Sequence, residues 1–298
     1  MLQKFFKYHG AGNDFLLADN REGYLSLSKD QIRHLCDRHT GFGADGVMLL
    51  EKSLGKDFRM VFYNPDGSGG MMCGNGGRCI VAFAADLGVV SGNFPIEFEA
   101  PDGLHTAVIL SDAKNLRANG TSVIRLKMRN VKGIKEYSED NAFFLDTGTR
   151  HLVKFVAGLD GYPVREQGKT LREDPRFAPE GTNVNFVESV ILSEAKNLGE
   201  AKNLGEAKNL LRVRTFEKGV EDETLACGTG IVASAIAACR KGIPGNDSRE
   251  GRVSYDIRAS IADLTVDFIP SGDGSEFAAN DVWLTGPAAM VGTVECFL

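Results

Sequence analysis

The sequence has no C-x-x-C pair, although it holds six cysteines: Cys36, Cys73, Cys79, Cys227, Cys239 and Cys296. That argues against a thioredoxin-type motif and a structural zinc site. His34, Cys36 and His39 fall close together but not at the i, i+4 spacing that aims two ligands from one helix face, so no metal is expected. There is no P-loop and no G-x-S-x-G elbow, which leaves out Walker-type nucleotide chemistry and a hydrolase-type serine. Positive charge is not in excess. Lys and Arg number 34 against 40 Asp and Glu, a net charge of −6. Phosphate binding needs a basic face, so no nucleic-acid partner is expected. The longest apolar stretches, such as "CIVAFAADLGVV", are too short to span a bilayer, so no membrane partner is expected. The opening "MLQKFFKYHGAGNDF" has no long apolar run leading to a small-residue cleavage site, which predicts no signal peptide and a cytoplasmic location.

What is present is an ordinary globular composition, 43% hydrophobic and 25% charged over 298 residues. At roughly 150 residues per domain, this length predicts two domains. "LQKFFKY" reads as an opening strand. "SLSKDQIRHLCDRHTGFG" reads as a helix, with Ser28 as N-cap, Gln31 completing a capping box and Gly41 as the C-terminal stop. "GVMLLEKS" and "FRMVFYN" read as strands, followed by a buried helix over "CGNGGRCIVAFAADLG", from near Cys73 to Gly88. Strands follow in "FPIEFEA", "LHTAVIL", "SVIRLKMRNV" and "AFFLDTG". The second half repeats the theme: strands "NVNFVESVI" and "LRVRTFEKG", a helix over "CGTGIVASAIAACRKG", then strands "LTVDFI" and "DVWLTG". The last segment, "AAMVGTVECFL", is placed to return to the first half. The expected fold is α+β, two related halves with a sheet wrapped on one apolar helix in each. Their boundaries are 1–118 plus 287–298, and 119–286.

"VILSDAKNL" at 108–116 recurs as "VILSEAKNL" at 190–198, and the second copy runs on with a six-residue period. Six matches neither the helix nor the strand period, so both read as low-complexity loop inserts, the second at about 192–210. "GFGADG" at 41–46 matches G-x-G-x-x-G but follows a helix and precedes a strand, the reverse of a dinucleotide site, and reads as a turn. Cys79 and Cys239, within apolar helical runs, read as small core residues.

The chemistry points to "MMCGNGG" at 71–77 and "TLACGTG" at 224–230. Each sets a cysteine at the start of a helix, followed by small residues. Unpaired N–H groups and the helix dipole at such a start favour anions, whether a thiolate or a substrate carboxylate. Two thiols in matching contexts suggest a two-base reaction. One thiolate removes a proton from carbon and the other thiol returns one to the opposite face, inverting a stereocentre without a cofactor.

At these residues the chain resembles the diaminopimelate epimerases. The likeness rests on "HGAGNDF" at 9–15, "YNPDGSGGMMCGNGGRC" at 63–79, "GTNVNF" at 181–186 and "FEKGVEDETLACGTG" at 216–230. It implies a cofactor-independent epimerase that converts LL-2,6-diaminopimelate to the meso form. It also implies two pseudo-symmetric domains, each with a central helix in a curved, largely antiparallel sheet, an active site in the cleft between them, and a homodimer. By that resemblance Cys73 and Cys227 are the acid/base pair. Gly74, Asn75, Gly228 and Thr229 would hold the reacting carboxylate, and Asn13, Asn64, Asn183 and Glu217 the rest of the substrate. Three positions depart from the family pattern. Lys218 stands where Arg is common, Thr149-Arg150-His151 where Asn-Pro-His or Ser-Pro-His is common, and Gly46 where many members carry Gln. Lys218 keeps the charge but loses the bidentate fork, and Thr149 can still hydrogen-bond. The alternatives are a proline racemase-like enzyme of the same fold, a catalytically impaired relative, or a redox-responsive protein built on a Cys73–Cys227 disulfide.

Overall fold

The computed structural model describes residues 2–92, 94–110, 120–192 and 208–298. The chain divides into two compact units, residues 1–127 with 285–298, and residues 128–284.

The first unit begins with β1 (Leu2–Gly10) and β2 (Asn13–Asp19), a hairpin turning at Ala11 and Gly12, both at positive φ. Helix α1 (Lys29–Cys36) follows. Its Ser28 cap accepts from the Gln31 amide at 3.2 Å, and the Gln31 side chain accepts from the Ser28 amide at 2.8 Å, so the capping box forms as expected. The helix stops earlier than "GFG" suggests. Asp37 is the C-cap, in an extended conformation, and its carboxylate takes the His39 and Thr40 amides, so Gly41 is not the stop. Strands β3 (Val47–Glu51) and β4 (Phe58–Tyr63) precede α2 (Gly74–Asp86); β5 (Ile96–Ala100), β6 (Gly103–Ile109) and β7 (Thr121–Lys127) come after it.

Pairing runs β1–β2–β3–β4–β5–β6–β7. The final strand of the chain closes the ring by pairing with β7 and β1. All contacts are antiparallel except β2–β3 and β4–β5, and a parallel pair needs a long crossover. The two crossovers carry the two helices, on opposite faces of the sheet. Ile32 and Leu35 of α1 pack on Phe5, Leu16, Val47 and Leu49. Helix α2 takes the other face: Phe83 packs against Phe6 at a tilt and against Tyr8 edge-on, and Gly76 meets Met48 and Phe15. Alternation along each strand assigns neighbouring residues to opposite faces. Enclosed by the ring, α2 is buried from Gly74 through Ala84.

The second unit repeats this order with different lengths. It holds β8 (Val131–Lys132), β9 (Lys135–Tyr137), β10 (Ala142–Asp146), β11 (Arg150–Phe155), α3 (Val164–Arg172), β12 (Asn183–Leu192), β13 (Lys208–Glu217), β14 (Asp222–Thr224), α4 (Gly228–Lys241), β15 (Asp247–Arg249), β16 (Arg252–Arg258) and β17 (Asp263–Ser271). The pairs β10–β11, β12–β13 and β16–β17 are antiparallel; β11–β12 and β13–β16 are parallel. Again each parallel crossover carries a helix. α3 lies over Leu152, Val184, Phe186 and Phe216, and α4 packs on the other side, where Gly230 faces Asn185. The residue pattern of "VREQGKTLR" does not mark α3, whose interior Gly168 fits because a Cβ there would meet the Phe216 side chain at 2.4 Å. "DVWLTG" and "AAMVGTVECFL" prove to be one strand, β18 (Ala278–Phe297). Its first residues pair with β8 and its last with β1. The AKNL repeats fall mostly outside the described residues, between the antiparallel neighbours β6–β7 and β12–β13.

Gly10 sets how closely β1 approaches α2: a Cβ there would lie 2.9 Å from the Asn75 carbonyl oxygen. Gly10→Ala should therefore destabilise by about 1–3 kcal/mol. Gly69→Ala, with nothing within 4 Å of its Cβ, should stay within about 0.5 kcal/mol. Urea midpoints of the two variants test the contrast.

Candidate active site

Cys73 is the N-cap of α2, in an extended conformation, and its sulfur accepts the Gly76 amide at 3.3 Å. A Cβ at Gly76 would sit tightly, 3.3 Å from that sulfur. Gly74 and Asn75 follow as the first helical residues, both buried. The Asn75 carboxamide nitrogen reaches the Asn13 oxygen at 3.5 Å, and its oxygen accepts from Arg78 at 2.8 Å. Asn13 in turn donates to Asp45, whose carboxylate also accepts the Asp14 amide and Arg38. Burial alone would raise the Asp14 carboxyl, but hydrogen bonds from Arg38 and Lys7 outweigh it and hold it down to about 2. This ionic cluster fixes the hairpin that carries Asn13. Asn64 is occupied in its own loop, donating to Ser68 at 3.0 Å and to the Gly69 carbonyl at 3.3 Å.

In the second unit Cys227 holds the N-cap position of α4, also in an extended conformation, but without a side-chain capping hydrogen bond. It is buried, and its sulfur lies 3.4 Å from the Thr229 hydroxyl. Thr229 belongs to a polar network that sequence reading did not single out. The Asn185 oxygen accepts from Thr215 at 3.0 Å, which leaves its amide to donate to His151 Nδ1 at 3.0 Å. His151 Nδ1 is thereby the acceptor, and Nε2 carries the proton. Nε2 faces the hydroxyls of Thr229 and Thr149 at 3.0 and 2.9 Å. The two hydroxyls are 3.1 Å apart, and Thr147 donates to the Thr229 carbonyl at 3.1 Å. So Thr149 does meet the α4 start, through a histidine that is fully buried and held neutral: burial pushes its pKa down to about 3. The cue available in sequence was "NVNF", where Asn185 shares a strand face with Asn183.

Asn183 ties the ends of β11 and β13, donating to the Arg150 carbonyl at 3.1 Å and accepting from the Lys218 amide at 2.9 Å. Glu217 accepts from Thr224 at 2.9 Å. The Lys218 side chain is exposed. Gly46 is buried, and the volume a larger residue would need is taken by Phe62, 2.4 Å from an added Cβ. Among the other thiols, Cys36 is pushed up to about 11 and Cys79 far up by burial, which suits inert core groups. Cys239 is half-buried rather than fully enclosed, and burial raises it as well. No group of three or more metal-ligating side chains occurs among the described residues, and no helix among them is long and apolar enough to cross a membrane.

A family profile described as diaminopimelate epimerase matches residues 5–124 and 143–259. The chain belongs to that family. A diaminopimelate epimerase of Flavobacterium psychrophilum is 37% identical over 289 residues, 97% of this chain and 98% of the relative. One of Chlorobaculum tepidum is 41% identical over 236 residues, 78% and 82% of the two chains. Membership makes the protein an isomerase. Among solved structures, a phenazine biosynthesis protein of the PhzF family from Bacillus anthracis superposes with a TM-score of 0.69 at 12% identity, covering all of both chains. A probable proline racemase from Agrobacterium radiobacter gives 0.63 at 15%, covering 99% of this chain and 93% of the other. At such identities these two share the fold alone with the epimerase family member described here.

His151 gives a pH signature. Its folded pKa, about 3, lies below the 6.5 of an unfolded histidine, so between those values only the unfolded chain binds the proton. Its contribution to stability is complete above about pH 6.5 and is lost, by at most about 1.4 kcal/mol per pH unit, as pH falls toward 3. Urea midpoints taken from pH 7 to 4 should decline less steeply in His151→Gln than in wild type; identical slopes would exclude this origin. A second expectation concerns packing: Gly46→Gln should destabilise by overpacking against Phe62 by about 1–3 kcal/mol, readable in the same melts.

Proposed function

We propose that the protein epimerises LL-2,6-diaminopimelate to the meso form by a two-base mechanism in which Cys73 and Cys227 are the acid and base, with no cofactor. The observation that carries this reading is the duplicated cysteine N-cap. In a chain of the diaminopimelate epimerase family, each repeat unit presents a cysteine at the start of its enclosed helix.

One thiolate takes the α-proton, the electron pair remains on the α-carbon beside its carboxylate, and the other thiol delivers its own proton to the opposite face. Substrate and enzyme end with the same total of protons, the two sulfurs having exchanged states. The negative charge developing at the carboxylate is met by amide N–H groups at the helix starts, at Gly74 and Asn75 in one unit and Gly228 and Thr229 in the other. Asn13, Asn64, Thr149, Asn183, Glu217 and Lys218 would bind the remainder of the substrate, whose far end is a second zwitterionic amino acid. Carboxamides both donate and accept, Glu217 suits the distal ammonium and Lys218 the distal carboxylate. The same reading includes a homodimer, as the family resemblance implies, and a cytoplasmic location, as expected from the sequence.

In heavy water with a reductant, wild-type protein should incorporate deuterium at the α-carbon of LL-diaminopimelate and yield the meso product. Cys73→Ala and Cys227→Ala should each lower epimerisation by about 10²–10⁴-fold. Full activity in either variant would refute the two-base assignment, and turnover of proline in place of diaminopimelate would refute the substrate.

A further inference from the structure

Arg78 has 0% relative exposure, and it is the largest fully buried side chain in the described residues. It sits on the second turn of α2. Helical side chains lean toward the N-terminus of their helix, and this one folds back onto the first turn. Nη1 donates to the Gly74 carbonyl at 3.0 Å, Nη2 to the Asn75 carboxamide oxygen at 2.8 Å, and Nε to the Pro287 carbonyl at 3.3 Å. All three acceptors are neutral. No carboxylate among the described residues pairs with the guanidinium; burial pulls its pKa down, and the nearby ionisable groups whose negative charge would oppose that are Cys79 and Cys73. Cys79 is fully buried, and burial keeps it a neutral thiol.

A buried cation with only neutral partners is unusual, since an uncompensated buried charge is costly. Arginine remains protonated nonetheless, and its positive charge lies behind a helix start that is already electropositive. The matching position in α4, five residues after its cysteine, is Val232, which is equally buried. There the first turn is backed by the neutral His151 instead.

We propose that Arg78 is a positioning residue for the α2 half of the reaction: its fork fixes the Asn75 carboxamide and the Gly74 carbonyl, and its charge holds negative charge at Cys73. This rests on the two-cysteine reading above. The anion it compensates is the one the reaction supplies, first the thiolate and then the substrate carboxylate at the same helix start.

The test separates fork from charge by comparing Arg78→Lys and Arg78→Met with wild type, each checked for a wild-type-like circular dichroism spectrum. Two readouts are taken: the kinetics of LL-diaminopimelate epimerisation, and iodoacetamide alkylation of Cys73 against pH, resolved by mass spectrometry with Cys227 as internal reference. Arg78→Lys should raise KM by about 10-fold, the loss of one charge-assisted hydrogen bond, and leave the Cys73 midpoint in place. Arg78→Met should raise KM and also move the Cys73 midpoint upward by about one pH unit. An unshifted Cys73 midpoint in Arg78→Met, or an equal shift at both cysteines, overturns the assigned role of the charge. An unchanged KM in both variants overturns the role of the fork. If neither variant folds, the wild-type Cys73 midpoint decides: at or above the ordinary thiol value of about 8.5, the proposal is wrong. Because alkylation needs no substrate, failure here is distinct from failure of the proposed reaction, which wild-type epimerisation and Cys73→Ala report independently.

Discussion

A helix enclosed by a sheet cannot hand its first amides to bulk water. That single constraint organises both halves of this chain. α2 is buried from Gly74 through Ala84, and α4 at Gly228 and from Gly230 through Ala238. Their flanks can be apolar, and they are, but the opening N–H groups still need acceptors. A cysteine cap is a weak acceptor while protonated and a strong one as thiolate. A bound anion would serve better still. The local energetics of the fold thus favour negative charge at the point where the family chemistry would create it.

The closeness of the packing follows from the same enclosure. Glycines at 10, 76 and 230 let β1, the Cys73 sulfur and Asn185 approach the helix backbones, and an added Cβ at 230 would lie 2.2 Å from the Asn185 oxygen. A glycine in a helix is normally unfavourable. Here the first turns accept that cost because a methyl group would hold the sheet away from them.

Much of this was legible in the sequence, for identifiable reasons. The capping box at Ser28 and Gln31, the two apolar helices and the repeated cysteine caps are local signals, written in adjacent residues. The family motifs name residues that fall on the two helix starts, as Gly74, Asn75, Gly228 and Thr229 do, and at strand ends, as Asn13, Asn183 and Glu217 do. What stayed hidden is non-local. α3 has few apolar residues and gains its stability from packing over Phe186 and Phe216 rather than from its own pattern. The early end of α1 depends on the Asp37 carboxylate capturing the amides that follow. The burial of Arg78 and His151 could not be read from residue type, since both ordinarily belong at surfaces. Their partners are recruited by the tertiary fold: Pro287 lies far along the chain from Arg78, and Thr229 from His151.

β18 runs without interruption from Ala278 to Phe297, pairing first with β8 and finally with β1. The pairs it makes with β7 and β1 are the ones that close the ring around α2. The residues that complete the first unit are therefore translated after all of the second. On a ribosome the N-terminal unit waits with an open seam, exposing unpaired β1 and β7 edges and an apolar helix, until the closing strand emerges. For a chain made at about 5–20 residues per second, that interval lasts many seconds. It is the period in which edge-to-edge aggregation competes with folding and in which chaperone capture would matter most.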